Sequence, residues 1–170
     1  WYYLQTECFE ITSWCFVWGT SFGLMEVARI YSITDAPDIV YLFDEYRKYY
    51  KQESDVIGAE KYLSDRLKNN ESIIFVAIGD KKTIGFTQLY PGFSSLGMKP
   101  LWTLNDLFVL ESYRSIGVGK ALLDAAYKLG KSLNWKGMIL ETAHYNPARR
   151  LYEREGWKVD NEFLHYGIIF

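Results

Sequence analysis

Residues 104–109 (Leu-Asn-Asp-Leu-Phe-Val), followed by Tyr113-Arg114-Ser115-Ile116-Gly117-Val118-Gly119-Lys120, constrain this chain more than any other stretch. They read as an apolar strand running into a glycine turn and then an amphipathic helix. Gly117 and Gly119 remove the side chains that would hold a ligand off the backbone, and the first N–H groups of a helix have no partner inside it. A phosphate fits such a turn. A P-loop would need glycine at Arg114 and Ser or Thr at Ala121, and a dinucleotide fingerprint would need a third glycine at Leu122; both motifs fail. A helix-entry turn with no ligand has the same local pattern, so a second signal has to decide.

That signal follows 20 residues later. A short β-type run over 139–143 precedes Asn146-Pro147-Ala148-Arg149-Arg150-Leu151-Tyr152-Glu153-Arg154-Glu155-Gly156-Trp157. Asn146 suits a helix N-cap, Pro147 the first helical position, and Gly156 the left-handed residue past the helix end. With both blocks, Arg114-x-x-Gly-x-Gly and Asn146-x-x-x-x-Leu-Tyr-x-x-x-Gly-Trp, residues 25–170 resemble the GCN5-related N-acetyltransferase superfamily. The stretch 85–109 is most similar to its polyamine and histone-and-other-protein acetyltransferase branches.

The resemblance implies a mixed α/β domain whose central, mostly antiparallel sheet splays where acetyl-CoA inserts. It also implies transfer of the acetyl group to a primary amine within a ternary complex. The backbone of Leu107, Phe108 and Val109 would bind the pantetheine arm and the acetyl oxygen. The N–H groups of Ser115, Ile116, Gly117, Val118, Gly119 and Lys120 would take the pyrophosphate, with charge from Arg114 and Lys120. Asn146 would hydrogen-bond the arm, and Tyr152 would protonate the departing thiolate. The acceptor would be a small-molecule or protein amine, and the family's habits suggest a homodimer. A domain that binds acyl-CoA as a sensor or assembly module, without turnover, is the alternative.

The chemistry also needs a base, because an aliphatic ammonium with a pKa near ~10.4 cannot attack a thioester at neutral pH. The polyamine branch carries an acidic pair on the strand before the glycine turn, and here its first member is Asn105. Asp106 keeps the second position but faces the opposite side of a regular strand unless a bulge re-aims it. Glu141, flanked by Ile139 and Ala143 on its face of the next strand, is the other candidate, since an apolar setting raises a carboxyl pKa. Glu53 and Asp55, beside Tyr49 and Tyr50, would suit the wall of a cation pocket.

Composition excludes several classes. A net charge of −2 gives no basic field for nucleic acid. The only cysteines, Cys8 and Cys15, and the histidines His144 and His165 make neither a disulfide framework nor a metal site, so no metal is expected. The uncharged run over 11–25 is 15 residues, short of the roughly 20 a membrane span needs. No membrane partner and a reducing, cytoplasmic setting are therefore expected. Residues 1–24 hold eight aromatics and no Lys or Arg. They are read as an atypical segment, either foreign to the fold, with Met25 as the initiator, or an aromatic extension that packs on it, and 25–170 is read as one domain.

From Met25 the pattern predicts a strand over 26–33, a helix from Asp35 carrying Ile39, Leu42, Phe43 and Tyr46, and a second helix over 58–69. Strands over 72–79 and 83–90 follow, then a loop over 91–97, a strand over 102–110 and a helix over 118–133. The strand over 139–143, a helix from Pro147 and two short terminal strands complete the reading.

Overall fold

The protein was analysed as a computed structural model that describes residues 18–20, 23–36 and 38–170, with side chains from Met25 onward. Strands β1 (Trp18–Thr20), β2 (Gly23–Ile30), β3 (Ile73–Gly79), β4 (Lys82–Ser94), β5 (Lys99–Val109) and β6 (Met138–Ile139) lie in sequence order in one sheet. The first five pair antiparallel, and β6 joins β5 in parallel through Trp102↔Met138 and Thr103↔Ile139. Helices α1 (Ile39–Tyr49) and α2 (Val56–Lys68) cover one face; α3 (Val118–Ser132) and α4 (Arg149–Arg154) cover the other.

Each face has its own core because strand side chains alternate. Val27, Ile73, Phe75 and Leu89 pack with Leu122 and Ala126 of α3, whereas Ile74, Val76 and Phe86 pack with Ile39, Phe43 and Leu63 of α1 and α2. Leu122 is fully buried in the α3 stripe, so Leu122→Ala is expected to cost about 2–5 kcal/mol.

A bulge in β5 changes which face its side chains serve. Gln88 pairs with Asp106 but Leu89 pairs with Leu104, so Asn105 is an extra residue. Before it, Trp102 and Leu104 enter the α3 core; after it, Phe108 enters the α1–α2 core. Asp106 thereby turns toward α1 and is 4% exposed. The bulge also rotates the backbone. The N–H of Trp102 points at β6, bonding Gly137 O, whereas that of Leu110 points at β4, bonding Ile84 O. Leu107 and Val109 therefore direct their backbone groups away from β4, and the backbone of Phe108 is directed at β4.

Several boundaries differ from expectation. The turn Ile33–Asp35 is a 3₁₀ helix, because the Asp35 carboxylate accepts from the N–H groups of Tyr31 (2.8 Å) and Ser32 (3.0 Å), which delays α1 to Ile39. The loop expected over 91–97 is strand as far as Ser94, with Pro91 opposite Trp102. Its missing N–H faces the side where β3 has already ended, since β3 begins opposite Leu89, so no ladder bond is lost. The strand expected over 139–143 shrinks to Met138–Ile139, and the two terminal strands are absent. Phe163, Leu164, Tyr166, Ile168 and Ile169 instead lie exposed, β6 being too short to offer them an edge. Trp18–Thr20, from the aromatic segment, pairs with β2. Residues 1–17 and 21–22, the bulk of that segment, lie outside the described residues.

Candidate active site

Because β6 pairs with β5 only at Trp102 and Thr103, the β5 edge is open over 104–109. A cleft of about 460 Å³ lies there, lined by Leu107, Phe108 and Val109 of β5, by Gly117 and Gly119 of the turn, and by residues from α1 and α4.

The glycine turn is bare on the cleft side. Gly117 has φ +100, a left-handed conformation that favours glycine, and a Cβ built there meets no atom within 4 Å. Ser115 also has positive φ, at 64°. The first α3 hydrogen bond runs from Ala121 N–H to Gly117 O, so the N–H groups of Val118, Gly119 and Lys120 have no partner within the helix. Gly119 has a second reason to be glycine: its Cβ would come 3.0 Å from Leu151 Cδ2, so it also lets α4 close on α3. Gly85 serves the same closing function beneath, where a Cβ would meet Phe108 O at 3.0 Å and Val118 Cγ1 at 3.2 Å. The side chains of Ile116 and Val118 belong to the core.

The two cations at the turn differ. Arg114 Nε donates to Val109 O (3.0 Å), and its guanidinium sits over the rings of Tyr49 (5.5 Å) and Phe108 (5.8 Å). Its terminal nitrogens remain available to an anion. Lys120 Nζ is held by both Asp124 oxygens (3.0 Å) and by Glu155 Oε2 (2.8 Å), which raises its pKa, the Glu155 hydrogen bond first. Lys120 thus shares its charge with two carboxylates while lining the cleft. Arg150 and Arg154 of α4, which the sequence reading missed, also line the cleft. Their spacing of one helical turn is the signal that was available.

Around α4, Asn146 Oδ1 accepts from Ala148 N–H (3.0 Å) and its Nδ2 donates to Thr142 Oγ1 (2.9 Å). One amide N–H and one lone pair remain for a ligand. The helix proper begins at Arg149, after the single turn that Asn146 caps. Its end follows the expected pattern: Gly156 has φ +86, its N–H bonds Glu153 O, and Trp157 N–H bonds Tyr152 O. The Tyr152 and Trp157 rings then meet at 6.0 Å. Tyr152 is 8% exposed, behind the cleft lining, and its phenol is pushed up to about 12 by burial and then by the Tyr50 phenol.

The carboxylates separate clearly. Asp106 accepts from Asn105 Nδ2 (3.1 Å), and the Tyr46 hydroxyl is its other side-chain partner; burial raises its pKa above the ordinary carboxylate value. Glu141 does not have the apolar strand setting expected of it. It lies past the end of β6 with its side chain 74% exposed, 3.2 Å from His165 Nδ1. Glu53 and Asp55 lie in the α1–α2 connection. Asp55 caps α2 through Gly58 N–H (2.8 Å), and the Glu53 carbonyl accepts from Arg47 (3.1 Å). The cleft wall on that side is aromatic instead, formed by Tyr46, Tyr49 and Tyr50. His144 is exposed, and its carbonyl accepts from Arg149 (2.9 Å). Among the described residues no cluster of His, Cys, Asp or Glu is placed to hold a metal, and no helix is long and apolar enough to cross a membrane.

Comparisons with known proteins bear on this cleft. Residues 38–157 match the Acetyltransferase (GNAT) family. The uncharacterized N-acetyltransferase YhfO of Bacillus subtilis (strain 168) is 47% identical over 134 residues, covering 78% of this chain and 90% of that protein. A probable acetyltransferase of Haemophilus influenzae is 32% identical over 120 residues, covering 70% of this chain and 81% of its own. The crystal structure of a probable acetyltransferase superposes with a TM-score of 0.79 at 32% identity, covering 85% of this chain and 97% of that one.

Proposed function

The chain belongs to the GNAT family and is an acetyltransferase enzyme, and from that premise we propose that it moves an acetyl group from acetyl-CoA to a primary amine by direct transfer in a ternary complex. The observation that carries this reading is the open edge of β5 over 104–109 beside the bare turn at Gly117. An extended amide-bearing arm can pair with the backbone of Leu107 and Val109 as an added strand would, while a pyrophosphate meets the unpaired N–H groups of Val118, Gly119 and Lys120. Arg114 adds a charge already oriented by Val109 O, and Arg150 and Arg154, the latter paired with Glu155, also line the cleft.

The same edge supplies polarisation. A backbone N–H aimed at the thioester oxygen stabilises the charge that gathers there as the amine attacks, and does so best where water is excluded. Tyr152, whose phenol keeps its proton at neutral pH, serves as the general acid for the leaving thiolate. Asp106 serves as the base in preference to Glu141, being buried behind the cleft with a raised pKa while Glu141 is exposed and paired. The acceptor is a primary amine in a small molecule or a protein.

Acetyl-CoA should raise the melting temperature, since a ligand selective for the native state stabilises it. Coenzyme A should then be released when a panel of primary amines is added. Gly117→Val, which puts a side chain into the bare turn, should abolish the thermal shift. Equal acetyl-CoA affinity in a folded Gly117→Val variant would reject the phosphate site, and binding without release for any amine would favour the sensor alternative.

A further inference from the structure

Asp106 presents a difficulty for any mechanism that uses it. It is 4% exposed and is not among the residues that line the cleft, so a residue that does line it offers an acceptor amine the more direct contact. Tyr46 belongs to both places: it lines the cleft from α1, and the β5 bulge turns Asp106 to the α1 side of the sheet, where Tyr46 packs beside Phe108. Its ring is fixed by edge contacts with Phe86 (5.7 Å), Phe108 (5.9 Å) and Tyr50 (5.1 Å), so the hydroxyl has a defined direction.

We propose that Tyr46 relays the acceptor's proton to Asp106. The inference rests on the cleft being a site of amine acetylation. In the step, the ammonium N–H bond breaks as its proton bonds to the Tyr46 oxygen, while the Tyr46 O–H bond breaks and that proton passes to the Asp106 carboxylate. The amine gains a free lone pair and loses its positive charge, Asp106 loses its negative charge, and Tyr46 ends as it began. Nothing is oxidised or reduced. Burial pushes the Tyr46 phenol well above its ordinary pKa, which suits a group that passes a proton without remaining ionised.

The titratable groups facing the pair are Tyr50 just past α1, Tyr90 from β4 and Tyr152 from α4, with Tyr62 of α2 reaching Tyr90 hydroxyl to hydroxyl at 2.6 Å. All are phenols. The cations nearby are Arg114, over Tyr49 and Phe108, and Arg66 of α2, which acts on Tyr90. The bulge at Asn105 makes the relay geometry available, since without it Asp106 would face α3.

The test is kcat/KM for a turned-over primary amine from about pH 6 to about pH 10, spanning the approach to the amine's own pKa. Parent, Tyr46→Phe, Asp106→Asn and the double variant are compared at saturating acetyl-CoA. Tyr46→Phe should lower kcat/KM about 10²- to 10⁴-fold near neutral pH, and the deficit should shrink as the amine deprotonates by itself. Asp106→Asn should show the same pH pattern, with the double variant no worse than either single one. A deficit constant across the range, losses that multiply in the double variant, or a parent-like Tyr46→Phe would each overturn the relay. Should Tyr46→Phe melt lower than the parent, all four proteins are compared well below the lowest melting temperature, where the same outcomes decide. A parent that binds acetyl-CoA yet releases no coenzyme A with any amine would reject the acetylation reading and the relay with it; an active parent beside a parent-like Tyr46→Phe rejects the relay only.

Discussion

Asp44 and Asp106 both expose 4% of their surface, yet burial weighs far more on Asp106, and the two carboxyls are shifted in opposite directions. Asp44, on the inner face of α1, accepts from Ser54 Oγ (2.6 Å), Asp55 N–H (2.8 Å) and Arg47 Nη1 (3.1 Å). The Ser54 hydrogen bond, then the Asp55 N–H, hold its carboxyl below the ordinary value. Asp106, turned inward by the β5 bulge, has only the Asn105 amide and the Tyr46 hydroxyl, and burial pushes it above the ordinary value. Burial sets the cost of a charge, and the partners decide whether the charge survives it. At Asp44 the partners tie α1 to the start of α2, which is a structural task. At Asp106 the shortage of partners, beside a cleft, is the environment of a group that exchanges a proton.

The largest expected effect that separates the two is on turnover. Asp106→Asn should lower kcat about 10²- to 10⁴-fold with the melting temperature equal to or above the parent's, since it removes a poorly solvated charge. A normal kcat would break the comparison from the functional side. Asp44→Asn should cost about 1–3 kcal/mol in denaturant unfolding, because Ser54, Asp55 and Arg47 lose a charged acceptor. Its kcat, measured well below the melting temperature, should match the parent's.

Melting temperature against pH sharpens the contrast. Asp44 has a lowered folded pKa, so its stabilisation is present above the ordinary carboxylate value and is lost as pH falls toward the folded one; the deficit of Asp44→Asn should shrink in acid. Asp106 has a raised folded pKa, so stability is lost as pH rises from 3.8 toward its folded value. Asp106→Asn should therefore gain on the parent as pH rises through that window and converge with it in acid.

The smallest effect carries the same distinction to the cations. Arg114→Gln should weaken acetyl-CoA binding about tenfold, the loss of one charge-assisted contact. Lys120, already neutralised by Asp124 and Glu155, should tolerate Lys120→Gln within about threefold by isothermal titration.

What could be read in the sequence was what short-range chemistry determines. Gly156 announces a left-handed helix end, and Asn146 announces a cap, because each acts within a few residues. The α3 stripe from Val118 to Ala126 is legible for the same reason. The bulge at Asn105 was not, since register is a relation between β4 and β5 that neither strand encodes alone, and with it went the face of Asp106. The packing task of Gly119 was not legible, because its neighbour Leu151 is distant in sequence. Lys120 looked free for the same reason: Glu155 reaches it from the far end of α4. Glu141 looked buried because Ile139 and Ala143 suit a strand, but β6 stops at Ile139.

The central claim is that this cleft performs acetyl transfer, and Tyr152→Phe tests it most directly. The change keeps the ring against Trp157 and removes only the hydroxyl, so the melting temperature should stay with the parent's. With a turned-over amine and chemistry limiting turnover, kcat for coenzyme A release should fall about 10²- to 10⁴-fold while acetyl-CoA affinity is preserved. A kcat within about threefold of the parent's would contradict the account by removing Tyr152 from the mechanism.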